Sequence, residues 1–183
     1  MLDYKQLLDK IDKISESEIK PDGELKQKFI ERTKHHIELV NKYAARIGRT
    51  FPKHDNSKLT ELLDGYCYFS KSREELTKAE GELLDIVTLI HIINSPHHPE
   101  YWTDTPLSGF TRINYTPHGT IDSTQMPEEY LEEMCADWSA VSFEKGTNTP
   151  FEWFNSVNGK RWKFTPEQQE FIIKTLHRMW DED

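Results

Sequence analysis

Histidine is the residue type with the most potential chemistry in this chain of 183 residues, which contains eight of them. His36 comes three residues after Thr33 and four before Val40, so it borders the apolar stripe of a predicted helix. His91 follows Leu84 by seven residues within a segment that is apolar nearly all round. Both imidazoles are therefore expected to face the protein interior, where they can bind a metal ion or take part in a hydrogen-bond network.

A carboxylate and two pairs of residues complete the set. Asp137 lies three residues after Met134 and four before Val141, beside the apolar face of its predicted helix. His54-Asp55 precedes another helix, and His97-His98 follows the apolar one. A buried carboxylate without a partner costs several kcal/mol at least. Imidazoles and a carboxylate that converge from separate helices therefore need a shared cation or a mutual hydrogen-bond network, and the residues leave both open.

A shared cation would bring hydrolytic chemistry. Neutral imidazoles and carboxylates bind divalent ions such as Mn²⁺, Fe²⁺, Co²⁺, Ni²⁺ or Zn²⁺. Such an ion lowers the pKa of its water toward ~7 and stabilises charge on a phosphoryl group. Lys58, one turn after the His-Asp pair, is a candidate phosphate contact, as is Lys160-Arg161 on its charge alone. Glu133, one turn before Asp137, is a candidate general base or ligand.

Taken in chain order, these residues resemble the HD-domain superfamily of metal-dependent phosphohydrolases. That family usually has a His on one helix, an adjacent His-Asp pair at the head of another and a distant Asp, as in His36, His54-Asp55 and Asp137. The His54-Asp-Asn-Ser-Lys58 segment is similar to the family's His-Asp-x-Gly-Lys, and His97-His98-Pro-Glu to the His-His-Glu of its HD-GYP subgroup. The resemblance covers residues 30–145. With HHPEYW and EMCADWSAVS, the pattern is also similar to an uncharacterised family of bacterial and phage proteins.

The resemblance implies a bundle of five core helices around one or two metal ions. It implies a first ion held by His36, His54, Asp55 and Asp137, and a second held by His91 with His97 or His98. The implied activity is hydrolysis of a small phosphorylated molecule, with a nucleotide as the leading candidate, and the candidate catalytic residues are Asp55, Lys58 and Glu133. The missing GYP segment argues against cyclic-di-GMP. His91 lies closer to the His-His pair than in dinuclear members, so it is either a ligand or a residue that supports the ligands.

Two alternatives remain open at this point. A few HD-superfamily proteins bind two irons and activate O₂ to oxidise C–H or C–P bonds, and the ligand set permits this. A non-catalytic protein that binds a ligand or a partner would need the histidines only as a network. Metal content and turnover separate the three hypotheses.

The elements that must position these residues are mostly helical. Apolar residues recur at steps of three and four in six segments, at residues 24–48, 57–70, 76–95, 127–145, 151–157 and 165–180. Residues 103–126 are an irregular excursion, with a small hairpin expected around Thr116-Pro-His-Gly, and would close over a substrate as a lid. The sequence therefore predicts an all-α protein with a helical arm over residues 1–20 and one domain over 24–183.

Composition excludes several classes of protein. The net charge of −9 favours a small substrate over duplex nucleic acid, since duplex binding needs clustered Lys and Arg. No apolar run reaches the ~18 residues of a membrane span. Cys67 and Cys135 lie in helical patterns without a CxxC motif, which indicates reduced thiols in a cytoplasmic protein. The apolar side of the arm must pack on its own domain or on a second copy, so a homo-oligomer remains open.

Overall fold

The computed structural model describes residues 21–181, together with Asp9 and Ile11. This part of the chain forms seven α-helices: α1 Gly23–Ala45, α2 Asn56–Leu59, α3 Leu63–Tyr66, α4 Lys78–Asn94, α5 Glu128–Lys145, α6 Pro150–Val157 and α7 Pro166–Trp180. Two 3-10 helices lie at Cys67–Ser70 and Pro99–Trp102, and two short strands at β1 Ile121–Asp122 and β2 Trp162–Lys163. The predicted all-α fold class is confirmed.

Local signals in the sequence define where the helices begin and end. The side chain of Asp22 accepts a hydrogen bond from the Leu25 amide and caps α1. Capping boxes at Thr77, Thr149 and Thr165 begin α4, α6 and α7. These caps satisfy backbone amides that have no partner within their own helix.

The long helices enclose a continuous apolar core. Helix α5 packs along α1 on one side and against α7 on the other. Helix α4 buries residues around most of its circumference, among them Leu84, Val87 and His91, as its apolar composition predicts. It packs against α3 and both 3-10 helices, so the residues at its C-terminal end lie inside the protein.

The predicted helix over residues 57–70 is wrong as a continuous element. It is broken after Leu59, because Thr60 leaves the helical conformation with φ −120° and ψ −106°. The chain resumes as α3 and then as a 3-10 helix. Gly65 approaches Val87 so closely that an added Cβ would lie 2.4 Å from its Cγ1 atom.

The hairpin expected around Thr116-Pro-His-Gly is also wrong. A turn is present, with the Gly119 amide donating to the Thr116 carbonyl at 3.1 Å, but residues 103–120 contain no strand that could pair with the one after the turn. Strand β1 pairs instead with β2, in parallel, with Ile121 opposite Trp162. Ile121 is fully buried, so the excursion over residues 103–126 is anchored at its end by the C-terminal segment.

Most of the predicted N-terminal arm over residues 1–20 lies outside the described residues. Asp9 and Ile11 are helical, and Ile11 packs against the core. No helix in the described part of the chain is long and apolar enough to cross a membrane.

Candidate metal centre

The fold brings all seven predicted metal ligands together in one place. Helix α1 contributes a histidine, the turn before α2 a His-Asp pair, the last turn of α4 a histidine, the segment after α4 two histidines, and α5 an aspartate. Their candidate ligand atoms fall into groups with atoms within 4.8 Å of one another, made up of His36, His54, Asp55, His91, His97, His98 and Asp137.

Asp55 occupies the middle of this cluster in an uncommon backbone conformation. Its φ of 55° is in the left-handed region, and it is the one non-glycine residue with positive φ among residues the structure describes. Asp tolerates this conformation better than most residues, although it still costs about 1 kcal/mol or more. The side chain makes no capping hydrogen bond to α2. The conformation instead directs a 97% buried carboxylate into the centre of the histidines.

The two oxygens of Asp55 contact different histidines. Oδ1 lies 3.0 Å from Nε2 of His91 and 3.7 Å from Nε2 of His97. Oδ2 lies 3.9 Å from Nε2 of His36 and 3.8 Å from Nε2 of His54. Asp55 is therefore placed between two groups of imidazoles, as a carboxylate shared by two ions would be.

The two groups differ in composition. The first consists of His36, His54 and Asp137, in which Asp137 Oδ1 lies 3.1 Å from Nε2 of His36 and 3.9 Å from Nε2 of His54. The second consists of Asp55 with His91, His97 and His98. Both His97 and His98 belong to this second group, so the structure does not choose between them.

Four of the histidines share one arrangement. Each has a protein partner on Nδ1 and directs Nε2 toward the carboxylates. The Nδ1 partners are Glu144 for His36 at 3.0 Å, Glu133 for His54 at 2.9 Å and for His97 at 3.4 Å, and Ser57 and Ser95 for His91 at 2.9 and 3.1 Å. A metal-ligating histidine characteristically donates its second ring nitrogen in this way, which fixes the ring orientation.

Most of the inward-facing atoms have no hydrogen bond. Within residues 21–181, this holds for Nε2 of His54, His91, His97 and His98 and for Oδ1 of Asp55. His91 Nε2 and Asp55 Oδ1 are in contact at 3.0 Å, and this contact helps to keep the pKa of Asp55 low. Buried polar atoms are almost always partnered. A cluster of such nitrogens around carboxylate oxygens could hold a divalent cation.

The protonation states are consistent with a metal centre. Burial and the nearby Lys58 charge lower the pKa of His91 to about 4, and burial together with neighbouring imidazoles holds the pKa of His97 and His98 well below its usual range. These rings are neutral at pH 7, which is the form that binds metal. Burial opposes ionisation of Asp137, but its hydrogen bond with His36 prevails and keeps its pKa low.

His36 is the exception among these imidazoles. Burial disfavours its charged form, but hydrogen bonds to Asp137 and Glu144 outweigh this effect and raise the pKa to about 10. Without a bound cation, His36 is therefore protonated at neutral pH. The positively charged ring then lies between the carboxylates of Asp137 and Glu144.

The residues predicted to bind substrate or act in catalysis lie at different distances from the centre. Lys58 lies at the centre, with Nζ 2.7 Å from Asp55 Oδ2. Glu133 Oε1 lies 2.9 Å from Nδ1 of His54 and 3.4 Å from Nδ1 of His97, and these three residues form a third group that could hold an ion. Arg161 pairs with Glu100 at 3.0 Å. Lys160 is exposed and lines neither of the two cavities beside the centre.

Two cavities meet at the cluster. The first, of about 350 Å³, is lined by His36, Asp55 and Asp137 and by three cations, Arg32, Lys58 and Lys145. The second, of about 270 Å³, is lined by His97 and His98 and shares Asp137, Val141 and Lys145 with the first. The centre is therefore open to a molecule that enters from outside.

Several residues of the site were not identified from the sequence. Glu144 lies seven residues after Asp137, on the same face of α5, so helical spacing could have identified it. Ser95 lies four residues after His91 and could have been found in the same way. Arg32, four residues before His36, and Lys145, eight after Asp137, also have helical spacing. Ser57 carries no comparable signal, because only the packing of separate elements brings it to His91.

Comparison with known proteins gives a family. Residues 25–178 match the model of DUF5662, described as a family of unknown function. No curated protein and no solved structure matches the chain. The matched segment contains the whole cluster, from α1 to α5 and into α7, and it covers well over half of the chain. The protein therefore belongs to the DUF5662 family.

Proposed function

We propose that this protein is a metal-dependent phosphohydrolase acting on a small phosphorylated molecule, with a nucleotide as the leading candidate. The observation that carries the proposal is the convergence of four buried imidazole Nε2 atoms, which have no aligned hydrogen bond within residues 21–181, on the Asp55 and Asp137 carboxylates. Each unpartnered polar atom costs about 1–3 kcal/mol in the absence of a ligand. A divalent cation bound by these nitrogens and by the carboxylate oxygens would remove that cost.

The donor set divides between two ions. His36, His54, Asp55 and Asp137 would hold one, and Asp55, His91 and His97 or His98 would hold the other. Imidazole and carboxylate donors suit Mn²⁺, Fe²⁺, Co²⁺, Ni²⁺ or Zn²⁺. A cation bound there lowers the pKa of a water molecule and stabilises negative charge on a phosphoryl group.

Cations of the chain favour an anionic substrate. Arg32, Lys58 and Lys145 line the first cavity, although the protein as a whole has a net charge of −9. Asp55, Asp137 and Glu144 also line this cavity, and a divalent cation held by the two aspartates would leave it with a net positive charge that attracts and orients a phosphate. The Lys58 ammonium, held beside the centre by Asp55, is the group best placed to bind a phosphoryl oxygen near it.

Glu133 and Glu144 support the centre from behind. Their carboxylates accept from the Nδ1–H groups of His54 and His36 and orient those rings. We therefore assign Glu133 a positioning role, since it contacts the outer edges of the His54 and His97 rings.

Metal content is the first test. Purified protein should contain one or two equivalents of transition metal by mass spectrometry, and a His54→Ala, Asp55→Ala double variant should lose it. His35→Ala is the matched control, because His35 has a 64% exposed side chain beside His36 and should leave the metal in place. Absence of metal after reconstitution with Mn²⁺, Fe²⁺ or Ni²⁺ would overturn the proposal.

Activity is the second test. Metal-loaded protein should release phosphate from members of a phosphate-ester panel, and Asp137→Ala should abolish release. Two bound irons with substrate-dependent O₂ consumption would instead identify an oxygenase. Tight ligand binding without turnover, unaffected by Asp137→Ala, would identify a binding protein.

A further inference from the structure

The second cavity beside the centre has a wall of tryptophans. Trp138, Trp153 and Trp162 all line it, and the Trp138 and Trp162 rings are stacked with centroids 5.8 Å apart. Trp153 meets Trp162 edge to face and is only partly buried, so its ring has surface left for a further contact. Indole rings present large flat apolar faces that bind planar molecules well.

The Arg161 guanidinium packs against this wall, and one of its N–H groups has no acceptor among the described residues. Arg161 is held between two rings, with Cζ 4.0 Å from the Tyr115 centroid and 4.2 Å from that of Trp162. Its Nη2 donates to the buried Glu100 carboxylate at 3.0 Å. Its Nε is buried and has no acceptor in the part of the chain that the structure describes.

Other polar groups lie at the same cavity. Ser142 and Asn148 both line it, and the side chain of each can donate and accept hydrogen bonds. The cavity therefore combines flat apolar surface with donors and acceptors, which is the chemistry that recognises a ring bearing polar atoms on its edge.

We propose that this tryptophan cavity binds a planar heteroaromatic ring that belongs to the phosphorylated substrate. The inference rests on the proposed function for the position of the phosphate, which lies among Arg32, Lys58 and Lys145 in the first cavity. Asp137, Val141 and Lys145 line both cavities, so a single molecule can occupy both. A volume of about 270 Å³ accommodates a ring system but not a polymer. The ring stacks on Trp153, and its edge binds Arg161 and Asn148.

The consequence for specificity is direct. The metal centre and the lysines recognise only a phosphate, which many metabolites carry. The tryptophan cavity would distinguish heteroaromatic phosphate esters from sugar phosphates of the same charge. Trp153 is then a specificity-determining residue, separate from the metal ligands.

The test compares esters that differ only in the ring. Ribose 5-phosphate is titrated against the Mn²⁺-loaded protein, followed by the 5′-monophosphates of adenosine, guanosine, cytidine and uridine. Calorimetry gives Kd where the ester is stable and KM from the continuous heat where it is hydrolysed. At least one nucleotide should bind tenfold or more tightly than ribose 5-phosphate, as expected for a base stacked on an aromatic side chain.

Variants locate the effect. Trp153→Ala should reduce the preference for the ring at least fivefold while leaving the affinity for ribose 5-phosphate and the metal content unchanged. Trp153→Phe keeps an aromatic face and should restore most of the preference. Trp180→Ala is the control, since Trp180 stacks on Tyr43 and lines neither of these two cavities.

The results separate this inference from the proposed function. A ring preference that Trp153→Ala leaves intact, or equal affinity for all five esters, would overturn the inference even if phosphate is released. A preference that depends on Trp153, without release of phosphate from any ester, would support the subsite and overturn the hydrolase. Failure of all five esters to bind would overturn the inference, while the proposed function would fall only if no member of the wider phosphate-ester panel released phosphate.

Discussion

Metal binding should expel a proton from His36. In the metal-free protein its pKa of about 10 keeps the ring protonated at pH 7, with Nε2 3.1 Å from Asp137 and Nδ1 3.0 Å from Glu144. A cation bound on the Asp137 side must replace the Nε2 proton, whereas the Nδ1 proton can stay on the ring and continue to bind Glu144. His91, His97 and His98 are neutral and have no such proton to lose.

The size of the effect follows from the pKa. At pH 7 the His36 ring is about 3 pH units below its pKa of about 10. Each unit corresponds to 1.36 kcal/mol, so deprotonation costs about 4 kcal/mol at this pH. Apparent Mn²⁺ affinity should therefore rise about tenfold between pH 7 and pH 8, because the cost falls as the pH rises toward the pKa.

Calorimetry in buffers with different heats of ionisation counts the released protons. Wild type should release about one proton more per Mn²⁺ bound at pH 7.5 than the His36→Gln variant, whose amide has no ionisable proton. Its affinity should also vary more steeply with pH than that of the variant. Equal proton release by the two proteins, or a wild-type affinity that is constant from pH 7 to pH 8.5, would refute the assigned role of His36.

Three further predictions concern stability and support of the centre. Gly65→Ala should lower the free energy of unfolding in urea by about 1–3 kcal/mol, because the added Cβ would overlap Val87. Gly81→Ala in α4 is the control, since no described atom beyond its chain neighbours and its own helix backbone lies within 4 Å of the added Cβ, and it should be neutral or stabilising. His91 should contribute about 3 kcal/mol to the stability that the metal-free protein loses between pH 6.5 and pH 4, since the unfolded chain protonates it near pH 6.5 and the folded state only near pH 4. His91→Leu should reduce the loss by about that amount, and the remainder belongs to groups such as His97 and His98, whose pKa values are also lowered. Glu100→Gln should lower the free energy of unfolding by about 2 kcal/mol, because it weakens the hydrogen bonds that the carboxylate accepts from Arg161 and Trp162. It should also lower the metal content, since these bonds hold the segment after His98. An unchanged metal content would show that Glu100 does not support the centre.

The fold was predictable where local signals are strong. Thr165 and Pro166 mark the start of α7, and Pro96 follows the end of α4. The break after Leu59 was not predictable in this way, because residues 57–70 keep a helical apolar pattern. The tight approach of Gly65 to Val87 involves another helix, and tertiary packing of this kind overrides local periodicity.

The strand pairing was missed for a related reason. Two-residue strands carry too little alternation to be recognised, and β1 and β2 are about 40 residues apart in the chain. Their pairing buries Ile121 and Trp162, and long-range burial of this kind leaves no local pattern.

For the candidate site, too, part was predictable from the sequence and part depended on tertiary packing. Sequence alone identified residues that the fold brings together as candidate ligands, since His36, His91 and Asp137 stand at helical positions where buried polar side chains need partners. Only the tertiary structure decided how those residues act. It determined which nitrogen of each ring faces inward, how the oxygens of Asp55 are shared, and which cavity Arg161 lines. Spacing along a helix determines the face on which a side chain lies, whereas the atoms it meets depend on elements that arrive from elsewhere in the chain.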